Sequence, residues 1–204
     1  MTPATKTTGY HAAARNLLRE SLLDAAGELM QSAPWSEISM AAIATQAGVS
    51  RQTLYNEFGS RDVFAQAFAL RAADRFLTEV EEAFNDAADD PSRALLQGFA
   101  RFLDLASSDA MVRHIVVRDP GADELLSLFT SRGGPVVELG RNRLKAKMLE
   151  IWPDADPEAA GTLAEGMVRL GISHAGLPVG SPEDAAAQVT ALLMPYIERH
   201  LPSP

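Results

Sequence analysis

Asp90-Pro91, Asp156-Pro157 and Ser181-Pro182 repeat one signature in this chain, an oxygen-bearing capping side chain directly before a proline. Proline suits the first position of a helix, where its missing N–H would have no partner and its φ is already helical. The residue before it is then placed to cap. Each pair predicts a helix start, giving helices over 91–107, 157–176 and 182–200. The remainder agrees. Ala, Leu, Glu, Arg and Met dominate, and no stretch alternates apolar and polar residues with period two. The chain is therefore expected to be all-α. Pro195 falls inside the last helix, where it is expected to introduce a kink.

Towards the N-terminus, residues 14–32 place Leu18, Leu22, Ala25, Ala26 and Leu29 on one stripe, closed by Pro34 and Trp35. Short helices over 40–47 and 51–57 stop at Gly48 and Gly59, and Ser39, Ser50 and Ser60 stand where N-caps are wanted. A long helix over 61–84 carries Phe64, Phe68, Phe76, Val80 and Phe84 at helical spacing. Shorter helices over 109–117 and 122–130 and a longer one over 135–151 complete the chain, with residues 131–135 read as a linker. The expected organisation is an N-terminal three-helix, helix-turn-helix head over 1–61 and a larger helical body over 62–204.

Composition removes several function classes. The chain of 204 residues is 47% hydrophobic and 22% charged, ordinary for a globular protein with a real core. Its apolar runs fall far short of the ~20 residues that span a bilayer. Residues 1–9 are polar and lack the apolar region of a signal peptide, so a cytoplasmic location and no membrane partner are expected. The absence of cysteine excludes disulfides, thiolate metal sites and cysteine nucleophiles. His11, His114, His174 and His200 are scattered, with no i,i+4 pair, and neither a phosphate-binding glycine loop nor a G-x-S-x-G elbow is present. No metal, no cofactor and no enzymatic activity are expected. The formal net charge of −9 argues at first against nucleic acid, whose phosphates need Lys and Arg. Through Asp62, however, five basic residues face six acidic ones, a net of −1 that leaves −8 on the rest. An acidic body on a near-neutral head leaves the head free to meet DNA.

Residues 39–58 read SMAAIATQAGVSRQTLYNEF. Two short helices are joined by Ala47-Gly48-Val49-Ser50, where a reversal within a few residues calls for glycine. Ile43 and Val49 plug the space between the helices, and Leu54 and Phe58 pack the second against the first long helix. Arg51, Gln52, Thr53, Tyr55 and Asn56 are left for the other faces. Arg and Gln can make paired hydrogen bonds to base edges, and hydroxyls and amides at a helix N-terminus suit phosphate oxygens. Spacing alone leaves a plain helical hairpin with a solvated face open. The combined pattern is more specific. LLDAAGELM on the first helix, the block MAAIATQAGVSRQTLYNEFGSRDVF, and within it Leu54-Tyr55 and Phe58-Gly59-Ser60-Arg61-Asp62 together resemble the TetR family of bacterial repressors. The motif covers about the first third of the chain; beyond it, the helical layout and length agree.

The resemblance implies roles. Residues 50–56 would form the recognition helix, with Arg51, Gln52 and Thr53 as base readers, Ser50 at its N-terminus and Tyr55 on phosphate. Ser39 would face phosphate from the preceding helix. Arg61 stands where the family usually has Lys, and its fork can still grip phosphate. Asn56 replaces a residue that is often basic or aromatic, which puts that contact in doubt. Tyr10, His11 and Arg15 can reach the DNA backbone, or the first two can belong to a disordered arm. The resemblance also implies an operator duplex as partner, a homodimer through the last two helices, and a small effector bound in the body. Two heads about 34 Å apart would meet successive turns of the duplex. Gly161, Ala164, Gly171 and Ala175 permit close helix approach between copies or ordinary packing within one. Ala186, Val189, Leu192, Leu193, Tyr196 and Ile197 give the last helix a wide apolar face.

Candidate effector-binding residues are Phe99, Phe102, Leu103, Met111, His114, Ile115, Leu144, Met148, Met167, Leu170 and His174. Met and Phe suit an adaptable apolar pocket, although a filled core explains the same composition. Such an effector is expected to be mostly apolar, fatty acyl or hydrocarbon-like. The stretch RLGISHAGLP resembles bacterial regulators of alkane and lipid metabolism. Arg113, His114 and His174 are the candidates to meet a polar head group. The expected function is thus a ligand-responsive DNA-binding transcription regulator, a repressor released by its effector. Its first rival is a helical small-molecule carrier or enzyme without sequence-specific DNA binding. A second is a structural adaptor that binds partners through the last helices.

Overall fold

The computed structural model describes residues 5–201, with side chains from His11 onward. Residues 1–4, part of the stretch considered above for a signal peptide, and the side chain of Tyr10 lie outside it. Among the described residues the chain forms helices and no strand. In order these are α1 (Thr5–Leu29), a single 3-10 turn (Trp35–Glu37), α2 (Met40–Gln46), α3 (Arg51–Phe58) and α4 (Arg61–Asp86). There follow α5 (Pro91–Ser108), α6 (Ala110–Val116), α7 (Ala122–Ser127), α8 (Gly134–Ile151), α9 (Pro157–Gly176) and α10 (Pro182–His200). The all-α expectation holds. The first helix begins well before residue 14, so His11 lies on α1.

The three proline-led starts are made as their chemistry requires. The Asp90 carboxylate accepts from the N–H groups of Ser92 and Arg93, Asp156 accepts from Glu158, and Ser181 Oγ accepts from Asp184. These satisfy donors that a helix N-terminus leaves without partners. α10 continues through Pro195 to His200.

The chain separates into two compact units, one ending at Phe68 and the other starting at Ala69. The first buries Leu22, Ala26, Ile43, Leu54 and Phe64 completely. Phe58 meets Phe64 edge to face at 4.8 Å, and Trp35 stacks on Phe68 at 5.9 Å. The 3-10 turn was not anticipated; it delivers Trp35 into this core at 1% exposure, so Trp35 does more than close α1.

The second unit packs α5, α8, α9 and α10 with the later part of α4. Phe84, Leu95, Met148, Trp152, Leu163 and Met167 form its larger apolar cluster. The Trp152 indole N–H donates to the Ala88 carbonyl at 2.8 Å, giving the buried ring its one polar partner. Helices approach closely at glycines. A Cβ on Gly140 would stand 2.6 Å from Val168, and one on Gly98 would stand 2.5 Å from the Phe84 ring.

Phe84 is 1% exposed and cannot swing away. Gly98→Ala is therefore expected to destabilise the protein by about 1–3 kcal/mol, the usual range for overpacking a core. Urea unfolding of the two proteins measures this, and an unchanged midpoint would contradict so tight a contact between α4 and α5.

Candidate nucleic-acid interface and effector cavity

α2 and α3 are set against each other by their caps and turn. Ser39 Oγ accepts from the Ala42 N–H at 3.1 Å, and Ser50 Oγ accepts from the Thr53 N–H at 3.0 Å. Gly48 takes φ +70° in the turn and Gly59 takes φ +76° at the end of α3, a region costly for any residue with a Cβ. Leu54 and Phe58 face inward, while Arg51, Gln52 and Asn56 are exposed and Thr53 and Tyr55 half-buried. One edge of α3 thus carries polar groups with their hydrogen-bonding atoms outward. The Gln52 amide donates to Asn56 Oδ1 at 2.8 Å, and the Arg51 guanidinium lies 5.3 Å from the Tyr55 ring centroid. Ser39 and Ser50 use an oxygen lone pair in capping. A hydroxyl that accepts in this way keeps a proton that can be donated, and at Ser50 one proton is shared with Thr53, whose Oγ1 lies 2.8 Å from Ser50 Oγ.

The groups behind this edge anchor it to α1 and to the segment before α2. Arg19 lies 4.2 Å over the Phe58 ring and donates to the Glu57 carbonyl at 3.0 Å, while Arg15 pairs with the Glu57 carboxylate at 2.7 Å. These bonds tie α1 to the end of α3. Arg61, considered above for phosphate, turns towards the polypeptide. Its guanidinium lies 4.4 Å over the Trp35 ring, donates to the Trp35 carbonyl at 2.7 Å, and also donates to the Ile38 carbonyl. It braces the segment that leads into Ser39 and α2.

The second unit contains a cavity of about 110 Å³. Its wall draws on α4, α5, α6, α7, α8 and α9, and every lining residue is apolar or glycine. Of the candidates named from the sequence, the wall includes Phe99, Phe102, Ile115, Leu144 and Met167. Phe102 makes edge-to-face contacts with Phe76 at 5.7 Å and Phe99 at 6.3 Å. The other candidates lie elsewhere. Leu103 and Leu170 pack with Phe99 against Ala186 and Val189 of α10, and Met148 packs in the larger cluster. Met111 is buried on α6. His114 Nδ1 lies 2.5 Å from Asp119 Oδ2, and the His174 ring stands edge to face on Phe99. Sequence reasoning missed the α4 contribution, which includes Ala73, Phe76, Leu77 and Val80, and that of Val112, Leu126, Phe129 and Ile172. The long apolar stripe of α4 was the available signal, because it continues past what one small head can bury.

Gly161 and Gly171 are used within the unit, Gly161 under Arg141 and Gly171 under Phe102. On α10, Ala186, Val189 and Ile197 turn inward, but Leu192 is 68% exposed beside Ala191 and Pro195. Leu177 and Val179, between α9 and α10, are exposed as well. None of the described helices is long and apolar enough to cross a membrane.

Comparison with known proteins bears on both regions. Residues 22–68 match the family described as bacterial regulatory proteins, tetR family, and residues 90–195 match the one described as Bacterial Tetracyclin repressor, C-terminal domain. The chain is 36% identical over 195 residues to the HTH-type transcriptional regulator AlkX of Mycobacterium tuberculosis, covering 96% of this chain and 92% of that one. It is similar to the crystal structure of the TetR family repressor AlkX from Dietzia sp. strain DQ12-45-1b, implicated in biodegradation of n-alkanes. There the TM-score is 0.80 and the identity 32%, over 89% of this chain and 96% of that one. A TetR-family regulator from Pectobacterium atrosepticum shares the fold at a TM-score of 0.64 and 19% identity, over 94% and 98% of the two chains.

Two outcomes follow from the geometry. Arg61→Ala is expected to lower stability by about 1.5–3 kcal/mol, as for lost hydrogen bonds from a charged group. It should leave the salt slope of DNA binding unchanged, whereas a lost phosphate contact reduces that slope by about 1. A reduced slope at unchanged stability would return Arg61 to the phosphates. Ala175 lines the cavity and is half-buried. Ala175→Phe should weaken binding of the neutral fluorophore N-phenyl-1-naphthylamine at least about tenfold, because the new ring takes up the space. Undiminished fluorescence titration would locate the probe elsewhere.

Proposed function

Because the chain belongs to the TetR family of helix-turn-helix transcriptional regulators, we propose that it acts as a homodimeric repressor, released from its operator by a mostly apolar, chain-like effector. The observation that carries the effector class is the cavity wall, which offers apolar surface and no polar side chain. Burying a charged group there without a partner costs several kcal/mol or more, so the part of the ligand inside is hydrocarbon. An n-alkane fits this chemistry, and so does the tail of a fatty acyl compound with its head outside the wall. The n-alkane connection of the Dietzia relative supports the same class.

On the DNA side, Arg51, Gln52 and Thr53 read base edges, Asn56 supports Gln52 through their shared hydrogen bond, and Tyr55 with the Ser39 and Ser50 hydroxyls meets phosphate. The exposure of Arg51 and Gln52, beside the inward Leu54 and Phe58, supports this division. The exposed Leu192 on α10 and the small residues beside it support pairing of two copies through α9 and α10, which gives two recognition helices.

Fluorescence anisotropy with a labelled duplex from the region upstream of the protein's own gene tests the reading. A scrambled duplex, a salt series and Arg51→Ala accompany it. Sequence-selective binding is expected to fall as salt rises. Arg51→Ala should weaken it about five- to 150-fold, the equivalent of one good base contact. Adding N-phenyl-1-naphthylamine or dodecane should release the duplex. Equal binding to both duplexes, unaffected by Arg51→Ala and by the apolar probes, would favour the carrier.

A further inference from the structure

The residues that line the cavity and those that form an ion-pair clasp alternate along the same two helices. On α4, Ala73, Leu77 and Val80 lie in the cavity wall, while Asp74, Thr78 and Glu81, each one position further on, all bond to Arg143. On α8, Arg143 lies between the wall residues Gly140 and Leu144. The clasp therefore closes the α4–α8 seam immediately beside the cavity.

Its bonding is unusually complete for an arginine near a surface. Nε donates to Glu81 Oε1 at 2.8 Å and Nη2 to Glu81 Oε2 at 2.5 Å, a two-pronged pair. Nη1 donates to the Asp74 carboxylate at 2.6 Å and to the Asp74 backbone carbonyl at 2.9 Å, and Nη2 donates to Thr78 Oγ1 at 3.2 Å. The Arg143 side chain is 24% exposed and that of Glu81 19%. Paired forks of this kind are directional, and breaking one while half-buried strands a charge. The Glu81 hydrogen bond also pushes the guanidinium pKa further above its already high value, so Arg143 keeps its charge. Val112, Leu126, Phe129 and Ile172 line the cavity with part of their surface open to solvent, and Leu126 is 36% exposed.

We propose that Arg143 is the positioning residue that makes α4 answer to occupancy of the cavity. It touches neither DNA nor effector. It prevents a ligand from wedging α4 and α8 apart, so that a displacement of α8 is carried to α4. α4 begins at Arg61, the brace behind α2, so its movement bears directly on the DNA-binding elements. Without the clasp, the same ligand is accommodated by local opening of the seam and α4 stays where it was. This inference rests on the effector reading given above, and its test separates the two.

The experiment measures DNA affinity by anisotropy, without and with saturating N-phenyl-1-naphthylamine, in full-length wild type, Arg143→Lys and Glu81→Gln. Probe affinity is measured in parallel by its own fluorescence. Lysine keeps the charge and loses the fork, which avoids stranding Glu81; Glu81→Gln attacks the clasp from the other side and covers a lysine variant that does not fold. In wild type the probe is expected to weaken DNA binding about five- to 150-fold, the usual span of coupling between sites. In both variants the ratio should fall towards one, while DNA affinity without probe and probe affinity each stay within about threefold, because only the coupling has been removed. A residue that merely stabilises the fold would lower the melting temperature and leave the ratio intact. That result in either folded variant overturns the proposal. A wild type that binds the probe without losing DNA affinity, or does not bind it, defeats the effector reading, and the proposal falls with it.

Discussion

One apolar stripe on one helix supports most of what this chain does. α4 supplies Phe64 and Phe68 to the core of the first unit, where they meet Phe58 and Trp35. Further along, the same helix supplies Phe76, Leu77, Val80 and Phe84 to the second. An amphipathic helix of this length has a single buried face, and its side chains recur every three or four residues along it. The flanking positions are then free for polar work, and the chain fills them. Arg61 braces the entry to α2 at one end, and Asp74, Thr78 and Glu81 receive Arg143 further along. Core and clasp are two consequences of the same periodicity.

The helices were legible because their ends are written in local chemistry. Asp90, Asp156 and Ser181 each cap the helix that their following proline opens, and no distant residue is needed to produce that effect. Ser39 and Ser50 are equally local. The start of α1 was misjudged because residues 5–13 carry few apolar side chains and show no stripe. The 3-10 turn at Trp35 was missed for a different reason. Its three residues are too few to show a period, and their position depends on the aromatic pocket made by Phe68 and the Arg61 guanidinium.

Arginine shows where sequence reasoning stops. Arg51, Arg61 and Arg143 are identical as letters and each stands beside polar neighbours. In the structure the first is exposed on α3, the second is folded onto backbone carbonyls and an indole face, and the third is half-buried among carboxylates of another helix. What separates them is the direction and reach of a long side chain relative to atoms that are distant in sequence. Arg143 and Glu81 are 62 positions apart, so no local pattern could pair them. The resemblance placed Arg61 by its column in a motif. A motif records which residue type stands at a position, not which way its guanidinium turns.

The cavity was the hardest feature to foresee, because it is a deficit of atoms. Phe99, Phe102, Leu144 and Met167 fit a filled core as readily as a hollow one, and the sequence reading left both open. The deciding residues are small: Ala73, Gly98, Gly140, Gly171 and Ala175 all line the space. Glycine at Gly98 and Gly140 lets helices close to distances that a Cβ would forbid, which seals part of the wall while contributing no side chain to fill it. Small residues therefore do two opposed things around this cavity, drawing helices together at some points and leaving room at others. Which of the two a given glycine does depends on what stands opposite it. Val168 opposite Gly140 and Phe84 opposite Gly98 are facts of tertiary packing, available only once the helices are in place.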